Sequence, residues 1–219
     1  MKSLDTRKIL VLAGFVLIGV LWQVITLFAG HYPITNYPPK GTTIVALGDS
    51  LTVGVGASDT AHGYISILAK RLNITIANKG VSGDTTADAE KRLQRDVLDE
   101  HPNIVLILLG GNDYLKQVPQ EETFRNLRSI IERTQKTGAT VLLIGVRGGL
   151  LHDKFDKDFE KLAKDTGSLF VPNALNEILG DPKLMSDQVH PNDDGYLKIA
   201  DKIAPTLEGL VLAAPQKTE

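Results

Sequence analysis

The chain has 219 residues, of which 42% are hydrophobic, and this length and composition suit one sizeable core and exclude a largely disordered chain. The charges nearly cancel, with 24 basic and 26 acidic side chains and a formal net charge of -2, so no broad basic field is present to hold nucleic acid. The absence of cysteine excludes disulfides, thiolate metal sites and a cysteine nucleophile.

An uncharged apolar stretch, ILVLAGFVLIGVLWQVITLFAG, runs from residue 9 to residue 30. At a rise of about 1.5 Å per residue, a helix of this length matches the roughly 30 Å hydrocarbon core of a bilayer. A cleaved signal peptide has a shorter apolar region and a small-x-small cleavage site, and a helix in a globular core has a polar face. We therefore expect a transmembrane anchor at 9–30, with a cleaved signal peptide and a buried core helix as the alternatives.

The residues on either side of the apolar stretch indicate its orientation. Lys2, Arg7 and Lys8 precede it, and the positive-inside tendency places residues 1–8 in the cytoplasm and the rest of the chain outside. Residues 31–42, HYPITNYPPKGT, contain three prolines and show neither a helical nor a strand period. This pattern indicates a short extended linker between membrane and domain.

From Thr43 onward, buried-strand patterns alternate with amphipathic helical patterns. The predicted strands are TIVALG, ITIAN, NIVLILLG, ATVLLIGV and LFV, and the predicted helices are HGYISILAKRL, TTADAEKRLQRDVLDEH, EETFRNLRSIIERTQKTG, HDKFDKDFEKLAKDTG and a last one from about Asp193 to Leu210. Strand and helix in alternation require right-handed crossovers onto one parallel sheet. The sequence therefore predicts one α/β domain over residues 43–212, a three-layer α/β/α sandwich of about five parallel strands, followed by a tail at 213–219.

Four polar loops stand out in this domain. GDSLT around Ser50, KGVSGDTT around Gly83 and LGGNDYL around Asn112 each follow a predicted strand, and SDQVHPND, with Asp187 and His190, precedes the last helix. In open parallel sheets, ligands bind beyond the carboxyl ends of the strands. We therefore expect the four loops to converge on one edge of the sheet.

The Ser50 and His190 loops have both a structural and a chemical interpretation. Asp and Ser after a strand are ordinary N-cap residues, and HPND before a helix supplies a proline and a cap. A catalytic Ser50 needs a base, because a serine hydroxyl is a poor nucleophile until an imidazole accepts its proton. His190 differs from the other histidines because Asp187 lies three residues earlier, where its carboxylate can orient the imidazole.

The Gly83 and Asn112 loops are candidates for stabilising the negative charge that develops on the carbonyl oxygen when a serine attacks the carbonyl carbon. A backbone N–H exposed by a glycine and a side-chain amide can each stabilise that charge. The structural alternative is a pair of turns, with glycine for a positive φ and Asn-Asp for local hydrogen bonds.

GDSLT, VSGDTT, GGND and DQVHPND occur in the order of the sequence blocks of the GDSL, or SGNH, hydrolases, and the chain after residue 42 resembles that family, in particular its bacterial acyl thioesterase, lysophospholipase and arylesterase branch. The resemblance implies the flavodoxin-like SGNH form of the sandwich. It also implies that Ser50 is the nucleophile, that His190 is the base and then the acid, and that Asp187 orients His190. The Ser50 N–H, the Gly83 N–H and the Asn112 side chain would form the oxyanion hole. The implied reaction is acyl transfer through an acyl-Ser50 ester, with no metal or organic cofactor.

The resemblance also implies a substrate class, and the apolar stretch with its preceding basic residues implies a location. The expected substrates are small acyl esters, thioesters or lysophospholipids; the alternatives are a carbohydrate O-acetylesterase acting on cell-envelope glycan and, more remotely, an inactive binding scaffold. Tyr114, which follows GGND, is a candidate substrate contact, and so are Leu150 and Leu151 in the glycine-rich segment VRGGLLHDKFDKDF. The expected location is a bacterial inner membrane with the domain in the periplasm, or secretion if the apolar segment is cleaved.

Overall fold

The computed structural model describes residues 32–146 and 154–215. Its strands are β1 Ile44–Gly48, β2 Ile76–Gly80, β3 Ile104–Leu108, β4 Thr140–Ile144 and β5 Leu169–Val171. Its helices are α1 Ser50–Val53, α2 Tyr64–Leu72, α3 Thr86–Asp96, α4 Gly111–Leu115, α5 Gln120–Lys136, α6 Lys154–Thr166 and α7 Asp193–Ala213, with 3₁₀ turns at Thr60–His62 and Leu98–Glu100.

The five strands form one parallel sheet in the order β2-β1-β3-β4-β5. Every residue of β1, β3 and β4 is buried, which explains why their sequences are continuous apolar runs rather than alternating ones. Helices α2 and α7 pack together on one face, and α3, α5 and α6 pack side by side on the other. The predicted α/β sandwich with a five-stranded parallel sheet is confirmed.

The local differences from the predicted elements involve short helices. The helix predicted over residues 85–101 ends at Asp96 and is followed by a separate 3₁₀ turn. Helices α1 and α4 have four and five residues, too few to show a helical period in the sequence. Ser50 is the first residue of the single-turn helix α1, with Asp49 as the N-cap.

Residues 32–42, which we call the base segment, lie against the amino-terminal edge of the sheet. The Tyr32 hydroxyl donates to Ser168 O at 2.9 Å, and the Thr35 N–H donates to Gly167 O at 2.8 Å. The Asn36 side chain donates to Gln135 O at 2.7 Å, at the end of α5. The linker expected at 31–42 stays a prediction, and the described part of it, residues 32–42, makes contacts with the domain. Its prolines remove any regular period, but its polar side chains bind the ends of neighbouring elements.

Several predicted features fall on residues that the structure does not describe. These are the apolar stretch at 9–30, the basic residues before it, and the candidate contacts Leu150 and Leu151. Among the helices of the described residues, none is both long and apolar enough to cross a membrane.

Candidate active site

The site lies where three parallel strands end at the same level. Gly48 of β1 pairs with Gly80 of β2 and with Leu108 of β3, so the loops that follow these strands begin side by side. Ser50, Gly83 and Asn112 all line one cavity of about 630 Å³, and His190 lines the same cavity from the loop before α7. The four loops therefore converge as expected, at the carboxyl ends of β1, β2 and β3.

Ser50, His190 and Asp187 form a continuous hydrogen-bonded chain. His190 Nε2 lies 3.0 Å from Ser50 Oγ, and His190 Nδ1 lies 2.7 Å from Asp187 Oδ2. With the ring proton on Nδ1, His190 donates to the carboxylate and leaves Nε2 free to accept the Ser50 hydroxyl proton. This arrangement can remove a proton from Ser50 and stabilise the imidazolium that forms.

Asp187 and His190 are held together by their own turn. Asp187 Oδ1 accepts hydrogen bonds from the backbone N–H groups of Val189 and His190, at 2.8 and 2.7 Å. The hydrogen bond from the His190 ring and these backbone hydrogen bonds lower the pKa of Asp187 to about 2. The Asp187 carboxylate is therefore ionised at neutral pH.

Asp49, beside Ser50, is a buried carboxyl group that the sequence suggested only as a cap. Its Oδ1 accepts from the Leu51 N–H at 3.0 Å, which caps α1, and its side chain is almost fully inaccessible. Burial raises the pKa of Asp49 to about 6, although the Leu51 N–H and the nearby His190 act in the opposite direction. At neutral pH a largely desolvated negative charge therefore lies next to the Ser50–His190 pair.

Gly83 and Asn112 both line the cavity. Gly83 has φ +84, and a Cβ there would meet no atom within 4 Å, so the backbone conformation rather than crowding requires glycine. One Asn112 amide proton is donated to Asp84 O at 2.9 Å, and Asn112 Nδ2 lies 3.4 Å from Asp49 Oδ2. Because that second contact is long, the remaining amide proton can turn to a ligand oxygen.

Arg92 of α3 holds the Gly83 loop to the end of β1 and was not predicted. Its guanidinium donates to Asp84 Oδ2 at 2.6 Å, to Lys79 O at 2.8 Å and to Gly48 O at 3.0 Å. The sequence did contain a signal, because Arg92 lies three residues after Ala89 and next to Leu93, on the buried side of an amphipathic helix.

Asp113 of α4 joins the Asn112 loop to the start of α3 in the same way. It is fully buried, and it accepts hydrogen bonds from the Thr86 N–H at 2.9 Å and the Thr86 hydroxyl at 2.5 Å. The Thr123 hydroxyl donates to it at 3.3 Å. Since Thr86 follows the Gly83 loop, Asp113 fixes the Gly83 and Asn112 loops relative to each other.

The rest of the cavity wall is mainly apolar. Tyr114, a predicted contact, lines it and is 46% exposed, and its ring meets Phe155 edge-on with centroids 5.9 Å apart. The other apolar lining residues are Leu51, Leu115, Val146, Leu175, Leu179 and Val189. The last three follow β5 in a stretch without a regular period, so the sequence offered no signal for them. Within residues 32–146 and 154–215, no group of three or more histidine or acidic side chains is arranged to hold a metal ion.

The fold and the site together define a serine hydrolase built on a parallel α/β sheet. The GDSL-like Lipase/Acylhydrolase family model matches residues 46–198, and the chain belongs to this family. It is an ester hydrolase. The crystal structure of TesA, with 29% sequence identity, superposes with a TM-score of 0.70 over 77% of this chain and 99% of that one.

Three characterised relatives span most of their own length in the alignment. Esterase TesA of Pseudomonas aeruginosa is 30% identical over 180 residues, covering 77% of this chain and 89% of the relative. Thioesterase 1/protease 1/lysophospholipase L1 of Escherichia coli K12 is 32% identical over 197 residues, covering 84% and 95%. Acetylxylan esterase of Geobacillus stearothermophilus is 27% identical over 200 residues, covering 74% and 91%.

The buried charge of Asp49 makes a pH-dependent prediction. Because its pKa is raised in the folded state, the stability it contributes is present below its unfolded pKa and is lost as the pH rises through about 6. Asp49→Asn should therefore raise the free energy of unfolding by up to about 3 kcal/mol at pH 8 and change it little at pH 4. It should also lower kcat by about tenfold, because the charge near His190 is lost.

Denaturant unfolding at the two pH values and ester hydrolysis at pH 8 measure these effects. Asp201→Asn is the control, since Asp201 is an exposed carboxylate paired with Arg71 at 2.7 Å. An equal gain in stability at pH 4 and pH 8 would show that ionisation of Asp49 is not its cause.

Proposed function

We propose that the chain hydrolyses acyl esters or thioesters through an acyl-Ser50 intermediate. The observation that carries this proposal is the chain of contacts from Asp187 through His190 to Ser50 Oγ, at 2.7 and 3.0 Å. Ser50 Oγ attacks the acyl carbon while its proton passes to His190 Nε2, and the leaving alcohol or thiol takes that proton. His190 then takes a proton from water, which attacks the acyl-Ser50 ester; the carboxylic acid leaves and the proton passes to Ser50 Oγ, which regenerates the serine.

We infer that the oxyanion is stabilised by the Ser50 N–H, the Gly83 N–H and the Asn112 side-chain amide. Support comes from their common position around the cavity and from the open space in front of Gly83. Arg92 and Asp113 hold the Gly83 and Asn112 loops, so the donors are in place before the substrate binds.

We infer that the preferred acyl group is an alkyl chain longer than acetyl. The cavity of about 630 Å³ is walled by Leu175, Leu179 and Val189, which offer apolar surface well beyond what a methyl group needs. Lysophospholipids and acyl thioesters carry such chains. The second candidate is removal of acetyl groups from a glycan, favoured by the similarity to the acetylxylan esterase.

Replacement of the serine tests the mechanism. Ser50→Ala removes the attacking oxygen, so covalent labelling by a fluorophosphonate probe should be abolished and hydrolysis reduced to background. The control is Ser129→Ala, a half-buried position of α5 whose hydroxyl donates to Glu90 and which does not line the cavity, and this variant should be labelled like the unaltered chain. Labelling of Ser50→Ala at the normal rate would contradict the assignment of Ser50.

A change of cavity volume tests the substrate class. Leu179→Trp should fill the apolar cavity and shift the maximum of kcat/KM along a series of p-nitrophenyl esters from medium or long acyl chains to shorter ones, by about tenfold in relative rate. Leu212→Trp, at an exposed position of α7, is the matched control. Activity confined to acetyl esters in the unaltered chain would instead support the glycan deacetylase.

We propose further that residues 9–30 anchor the chain in a membrane and that the domain lies outside the cytoplasm. The uncharged sequence of 9–30 and the preceding Lys2, Arg7 and Lys8 support this orientation. The base segment leaves the domain at the edge of the sheet opposite Ser50, so an anchored domain would present its cavity away from the bilayer. Extraction of membranes with carbonate tests the anchor. The washed membranes should retain the full chain and release a chain that starts at residue 31. Recovery of both chains in the soluble fraction would refute the anchor.

A further inference from the structure

The distance between Ser50 and His190 is set by contacts far apart in the sequence. Ser50 is fixed at the end of β1 by the start of α1, whereas His190 is fixed to Asp187 within a single turn. The two side chains are 140 residues apart, and neither local structure determines where the other lies. Some other part of the molecule must hold the turn against the Ser50 loop.

Residues 55–58, which we call the positioning segment, provide that contact. The segment follows α1 after its C-cap, Gly54, and the buried Tyr196 hydroxyl of α7 donates to Val55 O at 2.6 Å. Tyr196 lies six residues after His190, on the helix that the His190 turn introduces. The segment is thus tied both to the helix that carries Ser50 and to the helix that follows His190.

Gly56 lets the segment approach the His190 turn closely. Its φ is +97, and a Cβ at this position would lie 3.0 Å from His190 Cβ and 2.5 Å from Pro191 O. It would also overlap the Ser186 hydroxyl. A side chain at residue 56 can be accommodated only if the His190 turn moves away from the segment.

Ser58 fixes the other end of the segment. Its N–H donates to Asp193 Oδ1 and its hydroxyl donates to Asp193 Oδ2, both at 2.7 Å. These two hydrogen bonds lower the pKa of Asp193, which keeps the acceptor ionised. His62 Nδ1 lies 3.2 Å from Ser58 Oγ and 2.8 Å from Asp59 Oδ1, so the imidazole holds the hydroxyl from the other side.

We propose that Gly56 and Ser58 are positioning residues that set the distance from His190 Nε2 to Ser50 Oγ. Gly56 determines how closely the turn can approach, and Ser58 holds the first turn of α7 through Asp193. The inference rests on the proposed function only in treating Ser50 and His190 as the reacting pair. It adds that the turn alone forms the Asp187–His190 pair, and that His190 can accept the Ser50 proton only when the positioning segment holds the turn close to Ser50.

Two variants of the full-length chain test the proposal. Ser58→Ala removes one of the two hydrogen bonds to Asp193 and should lower kcat by about fivefold, and Gly56→Ala should lower it by about 100-fold, because small misplacements of reacting groups are costly. KM should change little in both variants, since neither residue lines the cavity. Ser58→Thr, which keeps the hydroxyl, should restore most of the loss.

The control for backbone strain is Gly138→Ala. Gly138 has φ +93, close to that of Gly56, but a Cβ there meets nothing within 4 Å. The two glycine variants should lose similar thermal stability from the strained φ, with a further loss in Gly56→Ala from crowding, whereas only Gly56→Ala should lose kcat. An equal effect of both variants on kcat, or none in Gly56→Ala, would overturn the proposal.

A second measurement separates displacement of His190 from general damage. In Ser58→Ala, the low-field proton resonance of His190 Nδ1–H should persist, because the Asp187 hydrogen bond is local, while the rate of fluorophosphonate labelling falls with kcat. Loss of that resonance would show that the variant breaks the turn itself and would refute the proposed role. An unaltered chain that shows no labelling would refute the proposed function instead, whereas labelling at equal rates in the unaltered chain and in Ser58→Ala would refute only the positioning role.

Discussion

The whole site depends on three parallel strands that end at the same level. Gly48, Gly80 and Leu108 are register partners, and the chain turns from strand to loop directly after them. Because β1 and β3 are buried on both faces, a shift by one residue would turn each side chain toward the opposite helix layer and disrupt the close packing there. The hydrophobic core therefore places Ser50 beside the Gly83 and Asn112 loops, and no polar contact between the loops is needed for this placement.

Polar groups beneath the loops then refine what the sheet provides. Arg92 links the end of β1 to Asp84, and Asp113 links α4 to the start of α3. Each makes several hydrogen bonds in a buried setting, where an unpaired charge would be strongly destabilising. Because the hydrogen bonds of Arg92 and Asp113 are all formed, they hold the Gly83 and Asn112 loops in a single conformation. Stabilisation of a developing charge requires such a fixed conformation.

The sequence was informative wherever a short pattern determines a structure by itself. Continuous apolar runs predicted the strands, and Asp-x-x-His predicted a pair that its own turn forms. It was less informative where the partners are distant: the role of Arg92 depends on carbonyl groups of two other strands, and Leu175 and Leu179 line the cavity from a stretch without periodicity. The contacts of the base segment were hidden for the same reason, since Asn36 binds the end of a helix about 100 residues away.

Asp49 shows how stability and chemistry conflict at this edge. Its carboxyl group caps α1 through the Leu51 N–H, a role that a neutral asparagine could also fill. Burial raises its pKa to about 6, so the ionised form that prevails at neutral pH weakens the folded state. The same charge interacts favourably with protonated His190, the species that the proposed mechanism forms during acyl transfer. Burial of the Asp49 charge thus lowers the free energy of unfolding but places the charge beside His190. The close packing of the sheet below offsets this loss of stability.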